Sequence, residues 1–303
     1  MHRGRDMVLP SVVDAHHHIW APDTDPEGVG WVWLKKSGRR QFGDPAPIQR
    51  DYLLPEFLNE AAPDRVAGSV HVQVDNSLSD PVAETRFIQK ISDSACFPIM
   101  IVGFVNLAAP ELDDLLDRHM AYSNFRGIRQ IIARQEDRPE ISFAPRDYLR
   151  DLGWRAGFAS LGARGLSFDL QLYPEQMQAA AEFLAGHPEV PVAIDHLGSP
   201  YDLSAAGAAR WRRGMAALAA LDHVHVKLSG YAMYFGTDMG QGARDLTAEI
   251  IDLFGANRTM FGSNFPVDKL HLLYRDAFEL IADVAPDDLP QILGGTARRF
   301  YRF

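Results

Sequence analysis

Residues 14–20 read Asp-Ala-His-His-His-Ile-Trp and end a run of β-branched and apolar residues that begins at Ser11. Successive side chains of a strand point to opposite faces, so we expect His16 and His18 to share one face and His17 to point to the other. A single histidine in a strand is usually a packed core residue, but three in succession at a strand end are unfavourable for packing. The segment therefore predicts a strand whose end carries the chemistry of the protein.

Seven further short runs of β-branched and apolar residues follow, each ended by a polar, glycine or proline break and usually followed by a stretch with helical periodicity. Together with the first run they predict strands at 11–19, 66–74, 99–107, 125–132, 166–172, 190–197, 223–229 and 259–265. The helical stretches are clearest at 111–121, 147–163, 174–186, 205–221, 247–254 and 272–284. This alternation predicts an α/β fold, namely one (β/α)8 TIM-barrel domain over residues 1–303. An open doubly wound sheet is the alternative, but no glycine-rich phosphate motif follows an early strand.

The connection between the first two predicted strands, residues 20–64, is unusually long and carries Trp31 and Trp33. Loops of this length without strong secondary structure are usually functional or disordered. The aromatic content favours an ordered lid over the mouth of the barrel, with a simple surface excursion as the alternative.

The composition restricts the class of partner and the cellular compartment. The chain of 303 residues has a formal net charge of -10 and no cluster of basic residues larger than pairs such as Lys35-Lys36, so neither nucleic acid nor an anionic membrane is an expected partner. The lone Cys96 cannot form an internal disulfide, and residues 1–10 lack the apolar run of a secretory signal. No apolar stretch approaches the roughly 20 residues of a membrane helix. We therefore expect a cytoplasmic protein with a small-molecule substrate; its oligomeric state, a homo-oligomer included, stays open.

Polar residues also stand near the ends of the later predicted strands. Residues 192–198 read Val-Ala-Ile-Asp-His-Leu-Gly, and alternation places His196 on the face opposite Asp195. The eighth predicted strand carries Asn264 near its end. Because a TIM barrel builds its active site at the C-terminal ends of its strands, we predict that His196 and Asn264 join the first-strand histidines.

Most of the remaining strand ends carry a polar residue as well, whereas the interior of a structural barrel is filled mainly with Val, Ile and Leu. Arg129 stands between apolar neighbours, so an inward guanidinium needs an anionic partner, either a substrate carboxylate or an internal aspartate. Tyr231 follows the seventh strand and is placed either in a binding wall or in aromatic packing against the lid. The residues predicted to bind substrate are His71, Gln73, Arg129, Gln171 and Tyr231.

These strand-end motifs together resemble the amidohydrolase-related family of TIM-barrel metal-dependent hydrolases. The resemblance runs in order along almost the whole chain and is carried by DAHHHIW, SVHVQVD, RGIRQ, FDLQLYPEQM, AIDHLG, VKLSG, RTMFGSNFP and ARRFY. Within the family, the chain is most similar to the lactonase branch, which includes 2-pyrone-4,6-dicarboxylate lactonase and fuconolactonase. The motifs are specific for the family but not for a substrate.

The resemblance implies a catalytic group of His16, His18, His196 and Asn264. The family has an aspartate where this chain has Asn264, and that aspartate activates water and helps to hold a metal ion. A neutral amide cannot act as a general base at neutral pH. The modified lysine that bridges two metal ions elsewhere in the superfamily has no counterpart here. One divalent ion, zinc, on His16, His18 and His196 is chemically reasonable, and catalysis without a metal is the open alternative.

The resemblance further implies hydrolysis of a small lactone, either carboxylated or derived from a sugar. His16 and His18 would polarise the carbonyl with or without a metal ion, and His196 would replace the missing aspartate as the activator of water. Arg129 would hold a substrate carboxylate. Two alternatives remain: a non-oxidative decarboxylase with one metal ion, and a catalytically silent relative that binds a ligand.

Overall fold

The computed structural model describes residues 11–40, 42–61, 66–74 and 80–303. Residues 1–10, residues 62–64 and Asp75, which the sequence analysis used, lie outside the described residues. The central feature is one sheet of eight parallel strands, in which each strand pairs with the next along the chain.

The eight predicted strands are all present, and each ends before the position that the hydrophobic pattern predicted. The residues beyond the strand ends form the turns at the mouth of the barrel, where apolar and polar residues are mixed. The strands are β1 (Val12–His17), β2 (Val66–Val72), β3 (Ile99–Gly103), β4 (Phe125–Arg129), β5 (Ser167–Leu170), β6 (Val192–Ile194), β7 (Val224–Leu228) and β8 (Thr259–Phe261).

Helices follow the strands, and each of the six predicted intervals is helical. The α-helices of the described residues are α1 (Val32–Lys35), α2 (Leu54–Ala61), α3 (Ala83–Ala95), α4 (Leu112–Met120), α5 (Leu152–Ala163), α6 (Met177–Leu184), α7 (Ala205–Ala219), α8 (Tyr231–Phe235), α9 (Gln241–Phe254), α10 (Tyr274–Val284) and α11 (Thr296–Tyr301). The sequence pattern missed α3, because its buried face includes the polar residues Glu84, Thr85, Gln89 and Ser92. None of the described helices combines the length and the apolar character needed to cross a bilayer.

The barrel closes between β1 and the residues that follow β8. The backbone N–H of Asn264 donates to the carbonyl of His16 at 2.7 Å, and the N–H of His18 donates to the carbonyl of Phe265 at 2.7 Å. The carboxylate of Asp14 on β1 adds a side-chain hydrogen bond to this closure, since it accepts from the N–H of Ser263 at 2.9 Å. The (β/α)8 barrel predicted from the sequence is confirmed.

Two apolar layers surround the strands. The larger layer lies between the strands and the outer helices. The smaller layer fills the inside of the barrel and includes Val13, Ala15, Val70 and Val72. Above this inner layer, the interior is occupied by polar and charged side chains rather than by further apolar ones.

A buried ion pair lies in the barrel interior and is capped by the last helix. The ammonium of Lys227 on β7 donates to the carboxylate of Asp169 on β5, and neither side chain is exposed. The hydroxyl of Tyr301, from α11, donates to both oxygens of the same carboxylate at 2.9 and 3.1 Å. Burial raises the pKa of Asp169 to about 6, although Lys227 and Tyr301 counteract this effect. The Tyr301 hydroxyl therefore ties α11 to the charged interior.

Replacing Tyr301 by Phe should remove this charge-assisted hydrogen bond and leave the carboxylate of Asp169 with one donor fewer. We expect the free energy of unfolding to fall by about 2 kcal/mol, measured by urea denaturation. Tyr173 is the matched control, since its buried side chain donates to the neutral carbonyl of Ile141 at 2.6 Å. The variant Tyr173→Phe should lose about 1 kcal/mol. An equal loss in both variants would contradict a special contribution from the charged partner.

Candidate active site

A β-bulge in β1 turns the first catalytic candidate into the barrel. Asp14 lies opposite Ser69 of β2, and His17 lies opposite His71. Between these two pairs, β1 therefore contains one more residue than β2. An extra residue in one strand reverses the alternation of its side chains. Val13 and Ala15 already pack inside the barrel, so unbroken alternation would turn His16 outward. The bulge therefore places His16 inside, at the cost of a local irregularity.

The other two histidines of the triplet follow this reversed alternation. His17 points outward, where it stacks on Phe57 of α2 with ring centroids 4.3 Å apart and contacts the Ser69 hydroxyl at 2.8 Å. His18 returns to the inside and stacks on Trp20, with ring centroids 6.0 Å apart. The structure therefore brings His16 and His18 to the same face, with His17 on the other.

His196 joins this pair from β6, but not for the reason that the sequence suggested. We predicted that Asp195 and His196 would face opposite ways, and this prediction is wrong. Strand β6 ends at Ile194, and both His196 (φ 54°) and Leu197 (φ 58°) adopt the left-handed conformation. Alternation stops where the strand stops, so both side chains reach the site. Left-handed non-glycine residues cost about 1–3 kcal/mol each and cluster at active sites.

Three imidazoles converge at the mouth of the barrel. The ring of His16 lies 5.2 Å from that of His18 and 4.5 Å from that of His196, centroid to centroid. Each Nδ1 atom has a partner: the Asp195 carboxylate for His16 at 3.2 Å, the Val72 carbonyl for His18 at 2.7 Å, and the Ser229 hydroxyl for His196 at 3.2 Å. The Nε2 atom of His16 is buried and has no partner among the described residues.

Burial favours the neutral form of the three imidazoles. Burial lowers the pKa of His16 and of His18 well below the ordinary value and lowers that of His196 to about 3. The neighbouring cations Arg129 and Lys227 act in the same direction on His196, while Asp195 opposes them. A neutral imidazole is the form that ligates a metal ion or accepts a proton.

Asp195 is the anionic centre of the site and the partner that Arg129 requires. Its carboxylate lies 3.1 Å from the Lys227 ammonium and 3.3 Å from Nη1 of Arg129, and it is fully buried. Burial alone would raise the pKa of Asp195, but Lys227, His16 and Arg129 hold it well below its usual range. Of the two partners that the sequence left open for Arg129, the structure shows the internal aspartate.

Asn264 is oriented by a carboxyl group that sequence reasoning did not single out. Its Nδ2 donates to Oδ1 of Asp268 at 2.8 Å, while Oδ2 of Asp268 accepts from the Ala232 N–H at 3.2 Å. Burial raises the pKa of Asp268 to about 7. With its amide nitrogen engaged, Asn264 offers its amide oxygen to the cavity. The four-residue spacing of Asn264 and Asp268 was the available signal.

A cavity of about 270 Å³ lies above these groups. Arg129 and Lys36 are the cationic residues among its described lining, which contains no aspartate or glutamate. The lining residues are His18, Trp20, Trp33, Lys36, Phe42, Gln73, Val74, Arg129, Ile131, Ser142, Phe143, Gln171, His196, Met233, Asn264 and Val267. His16 lies directly beneath, buried by the rings of His18 and His196.

The long first loop supplies one wall of the cavity through Trp20, Trp33, Lys36 and Phe42. This arrangement agrees with the predicted lid, but the two loop tryptophans differ in position. Trp31 is fully buried away from the cavity and packs edge-on against Phe87 of α3, with ring centroids 5.8 Å apart. It anchors the loop, while Trp33 faces the cavity.

Three of the five residues predicted to bind substrate, Gln73, Arg129 and Gln171, line the cavity. His71 does not, because the inward positions of β2 belong to Val70 and Val72, and His71 points out to Glu84 of α3 at 2.8 Å. Gln73 reaches the cavity because it follows the end of β2 at Val72, beyond the strand's alternation.

Tyr231 also lies outside the cavity lining. It begins α8, is fully buried, and its hydroxyl is 2.8 Å from that of Thr247 on α9. Met233 of the same short helix lines the cavity instead. Neither placement expected for Tyr231 is found, because it lies outside the cavity wall and its hydroxyl contacts Thr247 of α9 rather than the lid.

The donor atoms of the site fit one divalent metal ion. The compact group of candidate ligands among the described residues comprises His16, Asp195 and His196, whose ligand atoms lie within 4.8 Å of one another, while His18 falls outside this group. The Asp195 oxygens already contact Lys227, Arg129 and His16. The unpartnered Nε2 of His16 and an Nδ1 held by a second group are the arrangement typical of ligating histidines.

Comparison with known proteins places the chain among relatives of the same architecture. The family model described as amidohydrolase matches residues 13–303. The uncharacterized protein y4mH of Sinorhizobium fredii is 36% identical over 265 residues, which cover 87% of this chain and 88% of that protein. An L-fucono-1,5-lactonase of Burkholderia multivorans is 28% identical over 305 residues, with 95% of each chain covered. A crystal structure of an amidohydrolase from Burkholderia multivorans with bound zinc superposes with a TM-score of 0.78 at 24% identity, covering 97% of this chain and 99% of that one, and this likeness shows the fold.

The contact between Asn264 and Asp268 gives a pH-dependent prediction. In the variant Asn264→Asp, two carboxyl groups would lie at hydrogen-bonding distance and would have to share a proton. The folded-state pKa of the pair should rise above the unfolded value, so the protein is most stable when the pair is protonated and loses stability as the pH rises. We expect the stability of the variant, relative to wild type, to fall between pH 5 and pH 9 on urea denaturation.

The exchanged double variant Asn264→Asp/Asp268→Asn is the control, because it keeps one amide and one carboxyl group in contact. Relative to wild type, its stability should change little over the same pH range. If the single variant and the double variant respond to pH alike, the two side chains do not form the contact described above.

Proposed function

The chain belongs to the amidohydrolase family, and from this membership we propose that it hydrolyses a small lactone that carries an anionic group. The observation that carries the proposal is the cavity. Neutral imidazoles and an amide line it together with the exposed Lys36 and the buried Arg129, which Asp195 neutralises, and its described lining contains no acidic residue. The relative from Burkholderia multivorans, named as a lactonase, supports the reaction type because it aligns over 95% of both chains.

The size and charge of the cavity limit the substrate. A volume of about 270 Å³ lies below the 300–1,000 Å³ typical of pockets for drug-sized ligands, so a single small ring fits best. The aromatic walls formed by Trp33 and Phe42 suit the flat face of such a ring. Lys36 carries no described ion pair, and its exposed ammonium favours a carboxylate at the rim.

A ring ester needs a polarised carbonyl, an oriented water molecule and stabilisation of the tetrahedral oxyanion. His18, which lines the cavity, would act on the carbonyl oxygen, with the ring of His16 beneath it at 5.2 Å between centroids. His196 Nε2 would take a proton from the water, a role that Asn264 cannot fill. The amide oxygen of Asn264 would accept a hydrogen bond from the same water and orient it, while Arg129 is held by Asp195 and Gln171 at the edge of the cavity.

As an alternative to the metal-free roles given above, the donor set supports one zinc ion, which His16 and His196 would hold, with His18 beside them. When bound, zinc supplies Lewis-acid polarisation and lowers the pKa of a water molecule. The absence of a free carboxylate ligand should weaken the affinity, because Asp195 is neutralised by Lys227 and Arg129.

A panel of carboxylated and sugar-derived lactones, assayed by proton release and by analysis of the products, tests the reaction. We expect ring-opened acids without release of carbon dioxide. The variant His196→Ala should lower kcat by roughly 10²- to 10⁴-fold, the usual contribution of a positioned general base. His187→Ala is the control, since His187 pairs with Glu189 away from the cavity. Full activity in His196→Ala, or carbon dioxide as a product, would contradict the proposal.

Variants of two adjacent lysines distinguish recognition of the substrate's anionic group from an effect of general surface charge. Lys36 lines the cavity, whereas its neighbour Lys35 is exposed outside it. We expect Lys36→Met to raise KM for a carboxylated lactone by about two- to fivefold with kcat nearly unchanged, the size of one solvent-exposed ionic contact. Lys35→Met should leave KM unchanged, as should Lys36→Met with a neutral lactone. Equal effects of the two variants would show that Lys36 does not contact the substrate.

A further inference from the structure

Gln171 follows the end of β5 and lines the cavity, where its side-chain amide contacts the guanidinium of Arg129. Nη1 of Arg129 donates to Oε1 of Gln171 at 3.4 Å. A guanidinium has N–H donors and no acceptor, so the opposite orientation of the amide would bring two donors together. Arg129 therefore determines which end of the Gln171 amide is turned towards it and which end is turned away.

The end that is turned away is the nitrogen. Nε2 of Gln171 has no hydrogen-bond partner among the described residues, and it is not fully enclosed by protein atoms, although the residue as a whole is only 5% exposed. Because Gln171 lines the cavity, this narrow opening leads into the cavity. Gln171 thus presents an N–H donor to a ligand that occupies the cavity.

The guanidinium of Arg129 is itself held by groups of the protein. Its Nη1 also donates to the carboxylate of Asp195 at 3.3 Å, and its Nη2 donates to the backbone carbonyl of Gln73. Asp195 neutralises the positive charge, and the Arg129 side chain is almost completely buried. Arg129 is therefore arranged to hold its neighbours in place and not to attract an anion from solution.

We propose that Gln171 is a specificity-determining residue that donates an N–H group to a neutral oxygen atom in the ring of the ligand, and that Arg129 is the positioning residue behind it. The inference rests on the proposed function, in which the exposed Lys36 takes the carboxylate of a small ring. A carboxylate buried against one neutral amide would be poorly compensated for its lost hydration. A neutral ring oxygen needs only one donor, so the buried Gln171 suits the ring and the exposed Lys36 suits the anion.

This arrangement distinguishes ligands that differ in a single ring atom. A ring oxygen accepts from Nε2 of Gln171, whereas a methylene group in the same place leaves the N–H group without an acceptor in a site closed by the ligand. The preference depends on the amide orientation, which Arg129 fixes.

The test compares two carboxylates that cannot be hydrolysed, tetrahydrofuran-2-carboxylate and cyclopentanecarboxylate, by ligand-observed NMR titration. They have the same charge and ring size and differ in one ring atom, which is oxygen in the first and a methylene group in the second. We expect the wild-type protein to bind the first about two- to tenfold more tightly, the size of one neutral hydrogen bond. Equal affinities, or binding of neither compound, would overturn the proposal.

Glutamine variants identify the group that recognises the ring oxygen. Gln171→Met should bind the two carboxylates equally, because it has lost the N–H donor. Gln178→Met is the matched control and should keep the wild-type preference, since Gln178 is exposed and contacts Glu182 outside the cavity. A preference that persists in Gln171→Met would show that another group contacts the ring oxygen, and the proposal would then be wrong.

The positioning role of Arg129 is tested by Arg129→Met. This variant should lose most of the preference although Gln171 is present, because the amide is then free to turn its oxygen into the cavity. An unchanged preference in a folded Arg129→Met variant would overturn the positioning role. If the variant does not fold, a crystal structure of the wild type with tetrahydrofuran-2-carboxylate decides, and we expect the ring oxygen within about 3.2 Å of Nε2 of Gln171. A ring oxygen placed elsewhere would contradict the proposal.

These outcomes are distinct from those that test the proposed function. Inactivity on every lactone, together with a preserved preference between the two carboxylates, would refute hydrolysis and leave recognition by Gln171 in place. Opening of lactones, together with equal binding of the two carboxylates, would refute recognition by Gln171 and leave the proposed function in place.

Discussion

The structure depends on a balanced group of four charges buried inside the barrel. Arg129 on β4 contacts Asp195 after β6, Asp195 contacts Lys227 on β7, and Lys227 contacts Asp169 on β5. Removing one member of such a group leaves an uncompensated charge in the buried interior, which is far more costly than losing an exposed ion pair. The charges therefore link four adjacent strands and at the same time set the electrostatic environment of His16 and His196.

Three local departures from regular backbone geometry bring the side chains of the candidate active site together. The bulge in β1 reverses the alternation so that His16 turns inward, and the left-handed residues after β6 bring Asp195 and His196 to the same side. Gly230 has φ +74°, and a Cβ atom there would lie 2.7 Å from Nδ1 of His196. Regular strands would point these side chains to different faces. The irregular positions therefore bring the imidazoles together, and the strands hold them in place.

The sequence was sufficient for features that rest on periodicity. The eight strands, the six predicted helical intervals and the barrel followed from alternating apolar patterns, and the shared face of His16 and His18 followed from strand geometry. Features that rest on a break in periodicity did not follow. Asp195 was assigned to the wrong face because no pattern marks a left-handed turn at His196, and α3 was missed because its buried face is polar.

The closure of the barrel joins the two ends of the sequence at the site itself, since the His16 carbonyl and the Asn264 N–H form one of the closing hydrogen bonds. His16 and Asn264 come from the first and the last strand regions, so their contact requires the closed barrel. A ligand that needs both His16 and Asn264 then binds the closed barrel and not a partly folded chain. Binding of such a ligand is thermodynamically linked to the folding of the whole barrel. The melting temperature of the whole barrel, and not only the stability of one loop, should therefore depend on ligand concentration.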